Sequence, residues 1–148
     1  MWGYLSFGRL LWEEGFFPYQ DVFAYTPTKP LWVYHEWLTG IVFFGLVKYW
    51  GPESLQLIRY LSALLTIYLV CSIALKKGGS LSNILIIIIP SVLLISFGYV
   101  PVRAQIFTFL FFILILYILE YSKKTESITV LRWLPVIQIF WCNFHGGF

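Results

Sequence analysis

The chain has 148 residues, of which 59% are hydrophobic, 21% aromatic and only 11% charged, with a mean hydropathy of +0.80. A soluble domain carries roughly a quarter charged residues because its surface faces water, so this composition excludes an ordinary soluble domain and points to lipid as the solvent. The net charge of +3 does not suggest a nucleic-acid partner, and Cys71 and Cys142, lacking CxxC or His–Cys spacing, read as inert thiols.

Residues 1–34 alternate aromatic with polar groups and contain Pro18, Pro27 and Pro30, a pattern suited to the membrane–water interface. Within them, 2–14 read as one interfacial helix ended by Gly15, and 16–31 as extended or turned chain. The run 35–50, HEWLTGIVFFGLVKYW, is apolar and closed by Gly51-Pro52. It would reach roughly 24 Å as a helix, short of a hydrocarbon core of about 30 Å. Length therefore favours a helix lying in the interface over a tilted span.

Four spans follow. The first covers 54–75, with Ser54 a plausible N-cap and Lys76-Lys77-Gly78-Gly79 the stop. The second covers 81–97 and is interrupted by Pro90. The third, 105–121, ends at Ser122-Lys123-Lys124, and the fourth, 130–143, includes Pro135. The expectation is an all-α, polytopic helical membrane protein: one membrane domain over 1–148, its 1–52 segment carrying juxtamembrane amphipathic helices ahead of about four transmembrane helices. Lys76, Lys77, Lys123, Lys124 and Arg132 fall on one side of these spans, which the positive-inside rule makes cytoplasmic. If 35–50 lies in the interface, residues 1–34 face outward; if it spans, they face the cytoplasm.

On the external reading, Glu36, Asp21, His35, Arg103, Gln105, Asn143 and His145 share one face, and polar groups gathered at a bilayer boundary are candidates for a site. Glu36 can be a general base or a ligand to a divalent cation with His35 its partner, or simply a charge at a helix start. Arg103, in VPVRAQ, is either a snorkelling interfacial arginine or an anion clamp supported by Gln105, its planar fork matching phosphate oxygens. The glycines of NFHGG either terminate a helix or allow substrate to approach the backbone, His145 then serving as a hydrogen-bond donor or proton carrier. Asp21 reads more readily as a solvated loop acid.

The order of WGYLSFGRLLWEEGFFPYQDVFAYTPTKPLWVYHEWL, RYLSALLTIYLV, VPVRAQIFTFLFFILILYILE and FWCNFHGGF resembles bacterial polytopic membrane proteins of the glycosyltransferase-C superfamily, with WVYHEWL, VRAQ-x-F and NFHGG the most specific pieces. That superfamily includes protein O-mannosyltransferases and aminoarabinose transferases. The resemblance implies transfer of a sugar from a polyprenyl-phosphate donor to an acceptor on the external face of a bacterial plasma membrane. Glu36 matches the position of the second acidic residue of the family's first external loop, and Arg103 the polar connection bordering the cavity. The family's first acidic residue would fall at or before Met1, so the chain is expected to be part of a longer protein and inactive alone. A transporter fragment or a non-catalytic membrane subunit are the alternatives; no ionisable residue lies near the centre of the second, third or fourth span, which counts against a midplane solute path.

Overall fold

The structure, a computed structural model, describes residues 1–26, 31, 33–97 and 102–147, without the side chains of 91 and 93–97. Pro27, Pro30 and Trp32 and the connection over 98–101 lie outside the described residues. Among those described, all regular structure is helical.

Helix α1, Trp2–Arg9, runs directly into a wider π turn, Leu10–Glu14, and stops at Gly15 in the left-handed conformation, φ 64°. Glycine carries no Cβ to oppose that geometry. One continuous helical segment over 2–14 was expected, and this is its form. Helix α2, Trp37–Trp50, lies parallel to it: Tyr4 meets Glu36, Gly8 backs onto Gly40, and Trp12 covers Gly45. A Cβ on Gly8 would stand 2.5 Å from the Gly40 carbonyl carbon, so the glycine pair is what lets the two backbones touch.

Helix α3, Glu53–Lys76, follows the Gly51-Pro52 turn. Ser54 was the expected N-cap. The cap instead falls two residues earlier, at Pro52 with its preset φ, so that the helix begins at Glu53, and Ser54 Oγ donates to the Gly51 carbonyl. The far end closes as expected, through Lys77 and Gly78 at φ 88°. Helix α4, Leu81–Phe97, contains Pro90, and α5 covers Gln105–Thr125. The expected fourth span at 130–143 opens differently. Ile128–Arg132 form a 3-10 turn, and α6 runs over Trp133–Phe144 with Pro135 in its first turn, where no backbone N–H is needed.

Contacts at both ends fix the directions. Leu55 clusters with Val102 and Phe107, and Lys77 pairs with Glu120, so α3 and α5 are parallel. Ser122 bonds the Ser127 carbonyl at one end of the α5–α6 pair and Trp141 bonds Thr108 at the other, so α6 is antiparallel to α5. The chain therefore returns along the bundle between α3 and α5, and α4 occupies that return.

Helices α3 and α5 have 24 and 21 residues, about 36 and 32 Å, and each is apolar enough to cross a bilayer. They are not buried core helices: only 11% of the apolar window of each is covered within the chain. Leu57, Leu61, Leu64, Phe109 and Phe112 all point outward. In water such a face would be a liability. Among the described residues, two of the four spans drawn from the sequence, α3 and α5, are helices of crossing length, and the searched parts of the other two are shorter apolar helices.

Both ends of α2 lie at the same end of this bundle. Its first turn meets the C-terminus of α6, Phe43 packs on Phe107 near the start of α5, and only two residues separate its end from α3. Helix α2 thus lies across the bundle end, not along its length. The small core of Phe43, Leu55, Val102 and Phe107 sits beneath it, with Tyr4, Phe111 and Phe144 packed around.

Candidate functional site

Where α6 stops, the backbone turns extended at His145 (φ −155°, ψ 141°), which swings its imidazole toward the start of α2. There its Nε2 lies 3.4 Å from Glu36 Oε1. The other carboxylate oxygen of Glu36 accepts a 2.7 Å hydrogen bond from the Tyr4 hydroxyl of α1. On the far side of the imidazole, Nδ1 accepts from the Gly147 amide at 3.1 Å and faces the Thr108 hydroxyl at 2.7 Å. Thr108 in turn accepts from the Trp141 indole at 3.1 Å.

The Gly147 amide can only donate, so Nδ1 is the acceptor toward it, and Nε2 is the nitrogen that faces Glu36. Trp141, Thr108 and His145 form a hydrogen-bonded chain, and His145 in turn lies beside the carboxylate that accepts from Tyr4. Both nitrogens of His145 are engaged. Each carboxylate oxygen retains a further lone pair, so Glu36 is the member of the network able to accept another proton. The two side chains are each 19% exposed, sheltered yet reachable.

Helix ends are braced around them. The buried Thr39 hydroxyl donates to the Phe144 carbonyl at 2.6 Å, meeting one of the carbonyls a helix terminus leaves unpaired. The Trp37 indole donates to Asn143 Oδ1 at 2.6 Å, and Asn143 itself bonds the Ile139 carbonyl. Burial first, then the Glu36 carboxylate, pushes the Tyr4 hydroxyl up to about 12, against the opposing pull of the Ala104 amide and the Arg103 charge. Tyr34, its ring 4.1 Å from that of Phe7, is raised by burial and by its neighbours Tyr4 and Glu36.

Of the residues singled out from sequence, Glu36 and His145 meet. His35 does not join them: it is exposed, and its ring lies over Gly146, where a Cβ would stand 2.7 Å from His35 Nε2. The close approach that Gly146 permits is therefore made by His35. Arg103 is exposed and acts on Tyr4 through its charge, and Gln105 is exposed at the first position of α5. Asp21 accepts the Phe23 and Ala24 amides at 2.9 and 3.2 Å, closing a local turn. Tyr4, Thr108 and Trp141 were not anticipated. A lone hydroxyl in the apolar run of α5 was the available signal for Thr108; nothing local marks the other two. Among the described residues no three His, Cys, Asp or Glu side chains gather as a metal site.

No model of a known protein family, no curated protein and no solved structure matches the chain.

Proposed function

We propose that the chain is part of a membrane glycosyltransferase that moves a sugar from a polyprenyl-phosphate donor to an acceptor on the external face, with Glu36 as its base. The observation that carries this reading is the Glu36–His145 contact, which joins residues from opposite parts of the sequence at a sheltered bundle end. In the proposed step, an acceptor hydroxyl gives its proton to Glu36 while its oxygen bonds to the anomeric carbon. The bond from that carbon to the phosphate oxygen breaks, and the departing polyprenyl phosphate takes the electron pair. Arg103 then faces the growing phosphate charge. His145 and Tyr4 are positioning residues that hold the carboxylate. A divalent cation, if used, would take Glu36 as a ligand.

The topology belongs to the same proposal. Helices α3 to α6 cross the bilayer in alternation, α1 and α2 lie on the external surface, and the lysine-rich end is cytoplasmic. Support comes from the transverse α2, whose placement leaves the site and residues 1–26 at the bundle end opposite the lysines. A cysteine at the fully exposed Tyr25, with Cys71 and Cys142 replaced by serine, should react with a membrane-impermeant maleimide added outside cells. Protection there together with labelling at His145→Cys would remove the shared compartment and the reaction with it.

A structural reading competes, since both nitrogens of His145 already face partners and the network ties three helix ends together. Transfer from a polyprenyl-phosphate sugar by the full-length protein separates the two. Loss of turnover in a folded Glu36→Gln variant supports catalysis, and a variant that melts early but turns over normally when folded supports the brace.

A further inference from the structure

We propose that the concavity between the C-terminal ends of α3 and α5 holds the phosphate headgroup of an anionic phospholipid. This inference rests on the bilayer reading above and not on sugar transfer. The concavity has a volume of about 500 Å³ and is lined by Lys76, Lys77, Lys123 and Lys124, with Ile73 and Tyr117 in its wall.

The bland alternative is that these lysines merely offset the negative ends of two helices. The charges decide against it. Each helix C-terminus carries roughly half a negative charge, and the lining includes one acid, Glu120, which engages Lys77 at 2.7 Å. Against these stand four lysines, leaving an excess of about two positive charges. Lys76 is held in place: it donates to the Tyr117 hydroxyl at 2.7 Å and sits 4.4 Å from the centre of that ring. Lys123 and Lys124 are exposed and join no ion pair among the described residues.

Position favours a lipid over a free anion. The lysines sit where two apolar helices of crossing length end, the level at which headgroup phosphates lie. The wall of Ile73 and Tyr117 suits the glycerol and upper acyl chain, which a free phosphate lacks.

The test uses the full chain in a mild detergent, with bound lipid read by native mass spectrometry. Phosphatidylglycerol should be retained in preference to phosphatidylcholine. Lys123→Gln/Lys124→Gln should weaken that retention roughly 25-fold, about fivefold for each lysine, with helix content unchanged. Glu120→Gln, which frees Lys77, should strengthen it. Equal retention of the two lipids, or no response to the lysine changes, would overturn the proposal. Displacement by glycerol 1-phosphate at matched concentration would also overturn it, assigning the site to a soluble phosphate. Carbonate washing of membranes separates the premises: a chain that washes off fails as a bilayer protein, whereas one that stays yet shows no selectivity fails only here.

Discussion

At one end of the bundle, Glu36 and His145 are 19% exposed and hydrogen-bonded to Tyr4, Thr108 and the Gly147 amide. At the other end, Lys123 and Lys124 stand exposed, and Lys77 keeps 58% of its side-chain surface in the open while pairing with Glu120. The first end contains its charge by hydrogen bonding inside a low-dielectric corner, where each bond strengthens its neighbours. The second leaves charge unmatched at a surface. Sheltered and matched charge fits a group kept poised for chemistry, and unmatched charge fits a group that meets an outside partner. A neutral substitution should therefore do different things at the two ends.

The largest effect is expected at Glu36. Glu36→Gln keeps the shape but cannot take a proton, and should lower kcat of the full-length protein by about 10²- to 10⁴-fold. Lys123→Gln should leave turnover unchanged. Equal losses from both would break the contrast. Next comes the close packing that sets the first end. Gly8→Ala drives a methyl into the Gly40 carbonyl and should cost about 1–3 kcal/mol in reversible unfolding. Gly3→Ala, with nothing within 4 Å of the new Cβ, should stay within about 0.5 kcal/mol.

A finer test is Thr108→Val, which strips the Trp141 indole of its acceptor and His145 Nδ1 of a donor. A loss of about 1 kcal/mol is expected, with a change in the nitrogen chemical shift of His145 that a lysine substitution would not produce. An unmoved shift would mean the hydroxyl does not hold the ring. The smallest effect is alkaline. An ordinary tyrosine ionises near 10, and Tyr4 in the folded chain near 12. The unfolded chain therefore gives up this proton first, so the contribution of Tyr4 to stability is complete below pH 10 and is lost as pH rises from 10 to 12. Tyr4→Phe should remove that part of the alkaline decline in melting temperature, and an unchanged decline would place Tyr4 outside the network.

Helix limits were readable because their causes are local. Gly15 and Gly78 close their helices by taking the left-handed conformation, which glycine enters freely. The apolar content of α3 and α5 was equally plain. The limits misjudged, at Ser54 and at 130–143, are places where two local devices compete: proline before serine in one, a 3-10 start before the α-helix in the other. For the site, the sequence marked Glu36 and His145 as unusual polar groups near apolar runs. It could not pair them, and it offered His35 as the partner of Glu36 because the two are adjacent in the chain.

What the sequence determined alone was the solvent it suits, the helical period and most helix ends, all set by composition and by residues within one turn of each other. What tertiary structure decided was who meets whom. Tyr4 finds Glu36, Trp37 finds Asn143 and Thr39 finds Phe144 across separations of 32 to 106 residues. Those meetings depend on two glycines letting α1 touch α2, and on α2 lying across the bundle end, which is a property of packed volumes and not of any single segment.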